Sequence, residues 1–376
     1  MRIAINTRLL LKGKLEGIGW YTYETLSRIV KTHPEHEFFF IFDRPFSNEF
    51  IFEKNVTPIV LGPPTRHPIL WYIWFELRLP KLLKKLNIDL FLSPDGFLSL
   101  ASKIPSVGVI HDINFEHHPK DLKFSHSKFY RIFFKKYAHK ANRIVTVSNY
   151  SKLDISKTYD VNKAKIDVSL NGVNSLFHPI ELSEQINIQK QYSQGKEYFL
   201  FVGALHPRKN IKRLLVAFDL FKTETNSKNK LLIVGAKMWW NRDLKEAFEN
   251  LTHKDEVFFT GRKSLPELKL IYASAQAFCF VPYFEGFGIP ILEAMRCGCP
   301  VITSNCTAMP EVAGEAAILV NPFNIEDIKN AMIIVEKDND LRVKLSKKGL
   351  IHSQNFSWNK TANALWASIN KVLQEC

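Results

Sequence analysis

The sequence contains no run of about 18 consecutive apolar residues, so it predicts no helix that crosses a membrane. The first residues, "MRIAINTRLL", are typical of a strand and lack the apolar core and cleavage site of a signal peptide. We therefore expect the cytoplasmic side of any membrane. Cysteine is scarce and matches no zinc spacing, which predicts reduced thiols at Cys279, Cys297, Cys299, Cys306 and Cys376.

A complete dinucleotide-binding fingerprint is also missing. That fingerprint is G-x-G-x-x-G directly after the first strand, with an acidic residue about 20 positions later. The segment "EGIGWYT" (16–22) supplies Gly17 and Gly19, but Thr22 occupies the place of the third glycine, and residues 7–16 intervene after the strand. This pattern disfavours hydride chemistry and fits a backbone loop that approaches a sugar or a phosphate.

The sequence has little that could bind a metal ion. Its only Asp-x-Asp motif is "DND" (338–340), which lies between predicted helices rather than after a strand. A surface turn is the better interpretation there. We expect no metal site.

Acidic residues are outnumbered, since Lys plus Arg exceeds Asp plus Glu by 14. Such a surplus favours an anionic partner, although a solvated basic surface would have the same composition. Clustered Lys and Arg alternate with Trp, Tyr and Phe at 66–86 and 123–143. These stretches suit the inner face of an anionic membrane; a core helix with a basic edge and a protein–protein face are the alternatives. No recognition motif for nucleic acid accompanies the charge.

What the chain does contain is a repeated alternation of strands and helices. At 376 residues it is long enough for two domains. Runs typical of strands occur at 2–6, 37–43, 89–93, 105–112 and 143–148, and again at 198–204, 230–236, 255–261, 277–282 and 300–305. Helical segments separate many of them, so the sequence predicts an α/β fold with two doubly wound parallel sheets and ligands at the cleft between them.

The segment "YFEGFGIPILEAMRCGCP" (283–300) concentrates candidate binding groups. Glu285 follows a predicted strand, and Glu293 lies in the opening turns of the predicted helix that Pro290 begins. The glycines between them let the backbone approach a ligand, and the helix N-terminus suits a phosphate. Flanking carboxylates suit sugar hydroxyls, so this segment predicts a pocket for a sugar joined to a phosphate.

Two further strand ends carry candidate residues. In "FVGALHPRKNIKRLL" (201–215), Arg208 and Lys209 precede a helix and could neutralise a diphosphate. In "VGVIHDINFEHHP" (107–119), His111 follows a buried strand. A basic surface turn and a structural histidine are the plainer interpretations of these two features.

Together these motifs resemble the retaining GT-B glycosyltransferases of family 4. "FVGALHPRKN", "PYFEGFGIPILEAMRCGCPVITSN" and "MPEVAGEAAILVNP" are similar to the family's C-terminal domain, and "GIGWYTYETL", "VIHDINFEHHP" and "SLNGVN" to its N-terminal domain. The resemblance implies two Rossmann-like domains that face each other across a cleft. The implied division is an acceptor-side domain (1–178), a linker (179–195), a donor-binding domain (196–358) and a final helix (359–376) that crosses back.

The resemblance also implies a role for each candidate residue. His111 and Glu285 would act on the transferred sugar, and Glu293 would hold the ribose hydroxyls. Arg208 and Lys209 would bind the diphosphate. The remaining donor contacts would be the loop with Gly17 and Gly19 and the amides of Phe287, Gly288 and Ile289.

The implied activity is retaining, metal-independent transfer of a hexose to a saccharide acceptor in the assembly of a surface polysaccharide or glycolipid. Mannose from GDP-mannose is the preferred donor, with other GDP- or UDP-hexoses open, and no cofactor is expected. The acceptor would be lipid-linked, with the enzyme peripheral on the inner membrane face. The alternatives are a phosphorylase or a sugar-nucleotide epimerase of the same architecture, and a non-catalytic nucleotide-sugar-binding or basic scaffold protein.

Overall fold

The computed structural model describes residues 1–236 and 240–374, and they divide into two compact units. The first unit comprises Met1–Gly172 together with the C-terminal residues from Trp358, and the second comprises Val173–Ser357. Four of the cysteines are free thiols, Cys279, Cys297, Cys299 and Cys306. Cys376, the fifth predicted thiol, lies outside the described residues.

The first unit is built on a parallel sheet of seven strands in the order β3-β2-β1-β4-β5-β6-β7. Strand β1 lies inside this sheet and pairs on both sides, with Ile3 opposite Phe38 and Leu90. Apolar runs form these strands because both faces of the sheet are covered. The strands are β1 (Arg2–Asn6), β2 (Glu37–Phe42), β3 (Val56–Val60), β4 (Leu90–Ser93), β5 (Ser106–Val109), β6 (Arg143–Thr146) and β7 (Ile166–Val168).

The helices of the first unit pack an aromatic core against this sheet. Trp74, Phe75 and Phe97 are buried there among many other aromatic and aliphatic side chains. A π-helical stretch, Ile73–Arg78, joins α2 to α3 in one continuous helical segment. The helices are α1 (Gly17–Thr32), α2 (Pro68–Tyr72), α3 (Leu79–Lys85), α4 (Asn114–His117), α5 (Phe124–Lys140) and α6 (Asn149–Tyr159).

The last helix of the chain, Trp358–Gln374, packs against the first unit. The Trp366 ring stacks on the ring of His33, the residue that follows α1, with centroids 3.7 Å apart. The hydroxyl of Ser169 donates to the carbonyl of Thr361 (2.9 Å), and the Lys371 ammonium pairs with Asp167 (2.9 Å). These contacts fix the helix on α1 and on the end of the first sheet.

The second unit has a parallel sheet of six strands in the order β10-β9-β8-β11-β12-β13. Its strands are β8 (Tyr198–Val202), β9 (Lys230–Val234), β10 (Val257–Gly261), β11 (Ala277–Phe280), β12 (Val301–Ser304) and β13 (Ala317–Val320). Its helices are α7 (Leu182–Ser193), α8 (Ile211–Thr225), α9 (Arg242–Glu249), α10 (Leu265–Ala273), α11 (Ile289–Arg296), α12 (Met309–Ala313), α13 (Ile325–Lys337) and α14 (Asn339–Ser353). The final helix of the chain is α15. The predicted α/β class is therefore confirmed.

The segment 179–195, predicted as a linker, is mostly the helix α7. Its sequence is polar since the helix lies on the surface and buries little more than Ile188 and Ser193. The side-chain amide of Gln189 donates to the carbonyl of Ser274 (3.3 Å), which attaches α7 to the second unit. The helix was not predicted because its sequence has few apolar residues, and it has few because only one narrow face of the helix contacts the core.

Candidate active site

The loops after β8 and β11 lie side by side, because these strands are parallel neighbours whose carboxyl ends share one edge of the sheet. After β8 the chain forms a single turn of 3₁₀ helix over Pro207–Lys209. Asn210 follows in a left-handed conformation, with φ of 62°. Its side-chain amide donates to the carbonyls of Val281 (3.0 Å) and Pro322 (2.7 Å). The turn that carries both predicted cations is thus attached to the loop after β11.

Glu285 in that loop contacts both cations. The guanidinium Nη1 of Arg208 and the ammonium Nζ of Lys209 meet the same carboxylate oxygen, Oε1. Nη1 of Arg208 also donates to the carbonyl of Phe284 (3.3 Å), and Nζ of Lys209 lies 4.7 Å from the centre of the Phe280 ring. The structure therefore brings three predicted site residues into one ionic cluster, a pairing that the sequence analysis did not foresee.

The cluster is partly shielded from water. The Glu285 side chain is 8% exposed, that of Lys209 14% and that of Arg208 21%. Burial alone would raise the pKa of Glu285, but the charges and hydrogen bonds of Arg208 and Lys209 outweigh it and hold the pKa at about 2. Glu285 is consequently ionised at every physiological pH, and it can accept hydrogen bonds but not donate a proton.

The glycine-rich segment that follows Glu285 turns sharply into α11. Gly288 has φ of 98°, and a Cβ on it would lie 2.9 Å from the Met309 Cε atom. Only glycine combines that conformation with such close packing. The Phe287 side chain is buried, so this residue presents its backbone rather than its ring. Ile289 begins α11, whose first amides have no partner within the helix.

Glu293 lies in α11 but has a different partner. Its Oε2 accepts a hydrogen bond from the hydroxyl of Tyr272 in α10 (2.9 Å). Burial raises the pKa of Glu293 to about 7, although the Tyr272 hydrogen bond acts in the opposite direction. The two glutamates of the predicted motif therefore differ in charge near neutral pH, because Glu285 has cations beside it and Glu293 has a neutral phenol.

His111 lies in the first unit, directly after β5 (two residues past Val109). Its Nε2 is 2.8 Å from the carbonyl oxygen of Pro94, and its ring meets the Tyr21 ring edge to face with centroids 4.8 Å apart. Burial lowers the pKa of His111, against the hydrogen bond to Pro94 and the charges of Asp112 and Asp95. The imidazole is therefore neutral near pH 7.

The structure corrects the expected loop at Gly17 and Gly19. Helix α1 begins at Gly17, so both glycines lie in its first turn rather than in a loop. A Cβ on Gly19 would lie 3.0 Å from the Leu9 carbonyl oxygen and 3.2 Å from the Leu15 Cδ2 atom. The absence of a side chain there lets the preceding segment fold closely over the start of the helix.

Sequence reasoning missed a buried ion pair in the first unit. Arg8, two residues beyond β1, binds Asp95, two residues beyond β4, with 2.6 Å between Nε and Oδ2. Both side chains are more than nine-tenths buried. Because β1 and β4 are parallel neighbours, their carboxyl ends lie together. A charged residue two places past the end of each strand could therefore have indicated this ion pair.

The remaining predictions concern metals and membrane spans. Asp338 of "DND" accepts a hydrogen bond from the Leu341 amide (2.8 Å) and caps α14. Over residues 1–236 and 240–374, no group of three or more His, Cys, Asp and Glu side chains is placed to hold a metal ion. Over the same part of the chain, no helix has the length and apolarity to span a bilayer.

Comparison with known proteins decides the family. Residues 15–175 match the model of Glycosyltransferase Family 4, and residues 183–351 match that of Glycosyl transferases group 1. The chain is 30% identical to O-antigen chain mannosyltransferase B of Escherichia coli, over 67% of each protein. The chain belongs to the family 4 glycosyltransferases. It is also 31% identical to O-antigen chain mannosyltransferase RfbU of Salmonella typhimurium, over 72% of this chain and 71% of that one.

The fold of this glycosyltransferase is equally well matched. HepE of Anabaena, solved in complex with UDP and glucose, aligns with a TM-score of 0.76 over 98% of this chain and 99% of its own. Its sequence identity is 16%, so this likeness concerns the fold alone. The predicted GT-B architecture is confirmed, as is the resemblance to family 4.

Proposed function

We propose that this glycosyltransferase transfers a hexose, with retention of anomeric configuration, from a nucleotide diphosphate sugar to a saccharide acceptor. The cluster of Arg208, Lys209 and Glu285 is the observation that carries the proposal. It lies past the carboxyl ends of parallel strands, where α/β sheets bind their ligands. Retention itself is proposed from membership of family 4.

In the proposed complex Arg208 and Lys209 bind the diphosphate. A diphosphate offers these cations more oxygens and more charge than the single carboxylate that they share now. It would draw them from Oε1 of Glu285 and leave that oxygen to accept hydrogen bonds from sugar hydroxyls. The two cations would also stabilise the leaving group, and on that basis we propose that no metal ion is needed.

The remaining donor contacts follow from the same segment. The amides of Phe287, Gly288 and Ile289 would lie along the sugar and the diphosphate, because the first amides of α11 have no partner within the helix. Glu293 would bind the ribose hydroxyls while its other oxygen keeps the Tyr272 hydrogen bond. In the first unit, His111 would contact the transferred sugar, and the helix start at Gly17 and Gly19 would lie at the phosphates.

Mannose from GDP-mannose is the proposed donor, supported by the two relatives named as mannosyltransferases. Their names also support an acceptor in surface polysaccharide assembly, and we propose a lipid-linked saccharide. A screen of GDP- and UDP-sugars for thermal stabilisation tests the donor, because selective binding raises the unfolding temperature. Stabilisation by UDP-sugars alone would replace mannose with another hexose, and a lack of any stabilisation would refute the donor site.

A peripheral membrane location is part of this proposal. Apolar side chains are exposed on α2 and at the start of α5, with Ile69 64% and Phe124 82% exposed. Exposed basic residues lie on the same helical segments or just before them, namely Arg66, Arg78, Lys81, Lys84, Lys123, Lys128, Arg131, Lys135 and Lys136. This combination suits an anionic leaflet. Co-sedimentation with liposomes should increase with anionic lipid content, and insensitivity to that content would contradict it.

The products separate this activity from its alternatives. A phosphorylase would release sugar 1-phosphate, and an epimerase would convert the nucleotide sugar without an acceptor. We expect nucleoside diphosphate and an extended saccharide, formed only when the acceptor is present and undiminished by a chelator of divalent cations. Product formation without the acceptor would favour the alternatives.

A further inference from the structure

The turn after β4 is held by one buried carboxylate. Asp95 Oδ1 accepts hydrogen bonds from the side chains of Asn6 (2.8 Å) and Ser93 (3.0 Å) and from the amide of Phe97 (3.2 Å). These contacts attach both ends of the turn to Asp95. Gly96 completes the turn with φ of 79°, and a Cβ there would lie 3.1 Å from the carbonyl oxygen of Val109.

Arg8 secures the other oxygen of this carboxylate. Its Nε donates to Asp95 Oδ2, and its Nη1 donates to the hydroxyl of Thr65 (3.3 Å). The guanidinium lies over the Phe97 ring, 4.1 Å from its centre, and 5.3 Å from the centre of the Phe75 ring. A guanidinium with several fixed contacts is rigid, so the position of Asp95 is determined from both sides.

This turn presents one backbone carbonyl to His111. The carbonyl oxygen of Pro94 can only accept, so the His111 Nε2 at 2.8 Å must be the protonated nitrogen that donates to it. In a neutral imidazole the other nitrogen, Nδ1, then carries the lone pair. The turn thereby selects the tautomer of the histidine.

We propose that Asp95 and Arg8 are positioning residues that keep His111 as the Nε2–H tautomer, so that Nδ1 is the acceptor for a hydroxyl of the transferred sugar. The inference rests on the proposed sugar contact of His111. With an amide in place of the carboxylate, one oxygen would remain to accept hydrogen bonds, but an NH₂ donor would stand at one of the two positions that now accept. The hydrogen bonds to Oδ1 and the one from Arg8 to Oδ2 could then no longer all be made. The Pro94 carbonyl would then shift, and Nε2 would lose the partner that holds its proton.

The experiment observes the tautomer directly, by two-bond ¹H–¹⁵N correlation spectra of the full-length protein near neutral pH. The His111→Gln variant identifies the signal. Wild-type His111 is expected to have Nε2 protonated and Nδ1 unprotonated, and a protonated Nδ1 would overturn the proposal. Asp95→Asn should give a mixture of tautomers and lower kcat by about tenfold, with the KM for the donor within about twofold.

A second variant and a matched control separate positioning from general destabilisation. Arg8→Lys keeps the positive charge but loses the planar guanidinium with its several N–H donors. It should produce the same spectral change as Asp95→Asn, and it replaces that variant if Asp95→Asn does not fold. Asp167→Asn removes another partly buried ion pair of the first unit, with Arg143, which has no contact with this turn among the described interactions. It should leave the His111 spectrum as in the wild type.

Two results would overturn the positioning role. One is a wild-type His111 spectrum in both Asp95→Asn and Arg8→Lys. The other is an equal change of tautomer in Asp167→Asn. Wild-type turnover by His111→Ala would instead refute the sugar contact, which the spectra do not test, so the two failures are distinguishable.

Discussion

Lys209→Met probes the ionic cluster with the least disturbance. Methionine keeps an unbranched apolar stem against the Phe280 ring and removes only the ammonium charge. Glu285 retains the guanidinium of Arg208, so its carboxylate stays paired and ionised. We therefore expect a folded protein with a specific defect at the donor site.

The size of the defect follows from the contact that is lost. A charge-assisted hydrogen bond contributes about 1.5–3 kcal/mol. On this scale, the Kd for GDP should rise by a factor of about 10 to 150. Isothermal titration with GDP measures this directly, and it needs neither the acceptor nor turnover.

Lys212→Met is the matched control. Lys212 lies three positions further along, its side chain is 52% exposed, and it pairs with Asp243 on the surface. We expect this variant to bind GDP as the wild type does. If both Lys209→Met and the wild type bind GDP measurably and with equal Kd values, the role of the cluster is refuted.

Three further variants test other parts of the account. Glu285→Gln should bind GDP at least as tightly as the wild type, because no carboxylate competes for the two cations. Its kcat should fall by about 100-fold or more. Weaker binding of GDP would contradict the expectation. Burial raises the pKa of Glu293 in the folded protein to about 7, so this carboxyl ionises in the unfolded state first as the pH rises. The free energy of unfolding of the wild type should therefore fall by up to about 3 kcal/mol between pH 4.5 and 7. Chemical denaturation of Glu293→Gln should not show this fall. If the unfolding free energies of the variant and the wild type changed in parallel with pH, the prediction would be refuted. Gly288→Ala should lower the unfolding free energy by roughly 1–3 kcal/mol, given its positive φ and the contact with Met309, and an unchanged urea midpoint would contradict that.

The interior strands of the two described sheets were predictable from the sequence, whereas β10 was the one edge strand of these sheets that was. Runs of apolar residues buried on both faces identified β1, β2, β4, β8 and β11. The strands that the sequence analysis missed, β3, β7 and β13, all lie at sheet edges. β3 contains Pro58, which an edge strand tolerates because one side of it has no ladder to complete.

The site was predicted as separate motifs, but its contacts depend on which strands are neighbours. Glu285 was assigned to sugar hydroxyls and Arg208 to a diphosphate, whereas the structure pairs these side chains with each other. That pairing follows from β8 lying beside β11, and the order of strands is not visible in a local pattern. The ion pair of Arg8 and Asp95 was not predicted for the same reason, since it joins residues 87 positions apart in the sequence.

A crystal structure of the protein with GDP-mannose, or with GDP and mannose, would show whether the cluster of Arg208, Lys209 and Glu285 binds the donor. We expect diphosphate oxygens within hydrogen-bonding distance of Lys209 Nζ and the Arg208 guanidinium, with the Glu285 carboxylate facing the sugar. A nucleotide bound elsewhere, with the cluster of Arg208, Lys209 and Glu285 unchanged, would contradict it.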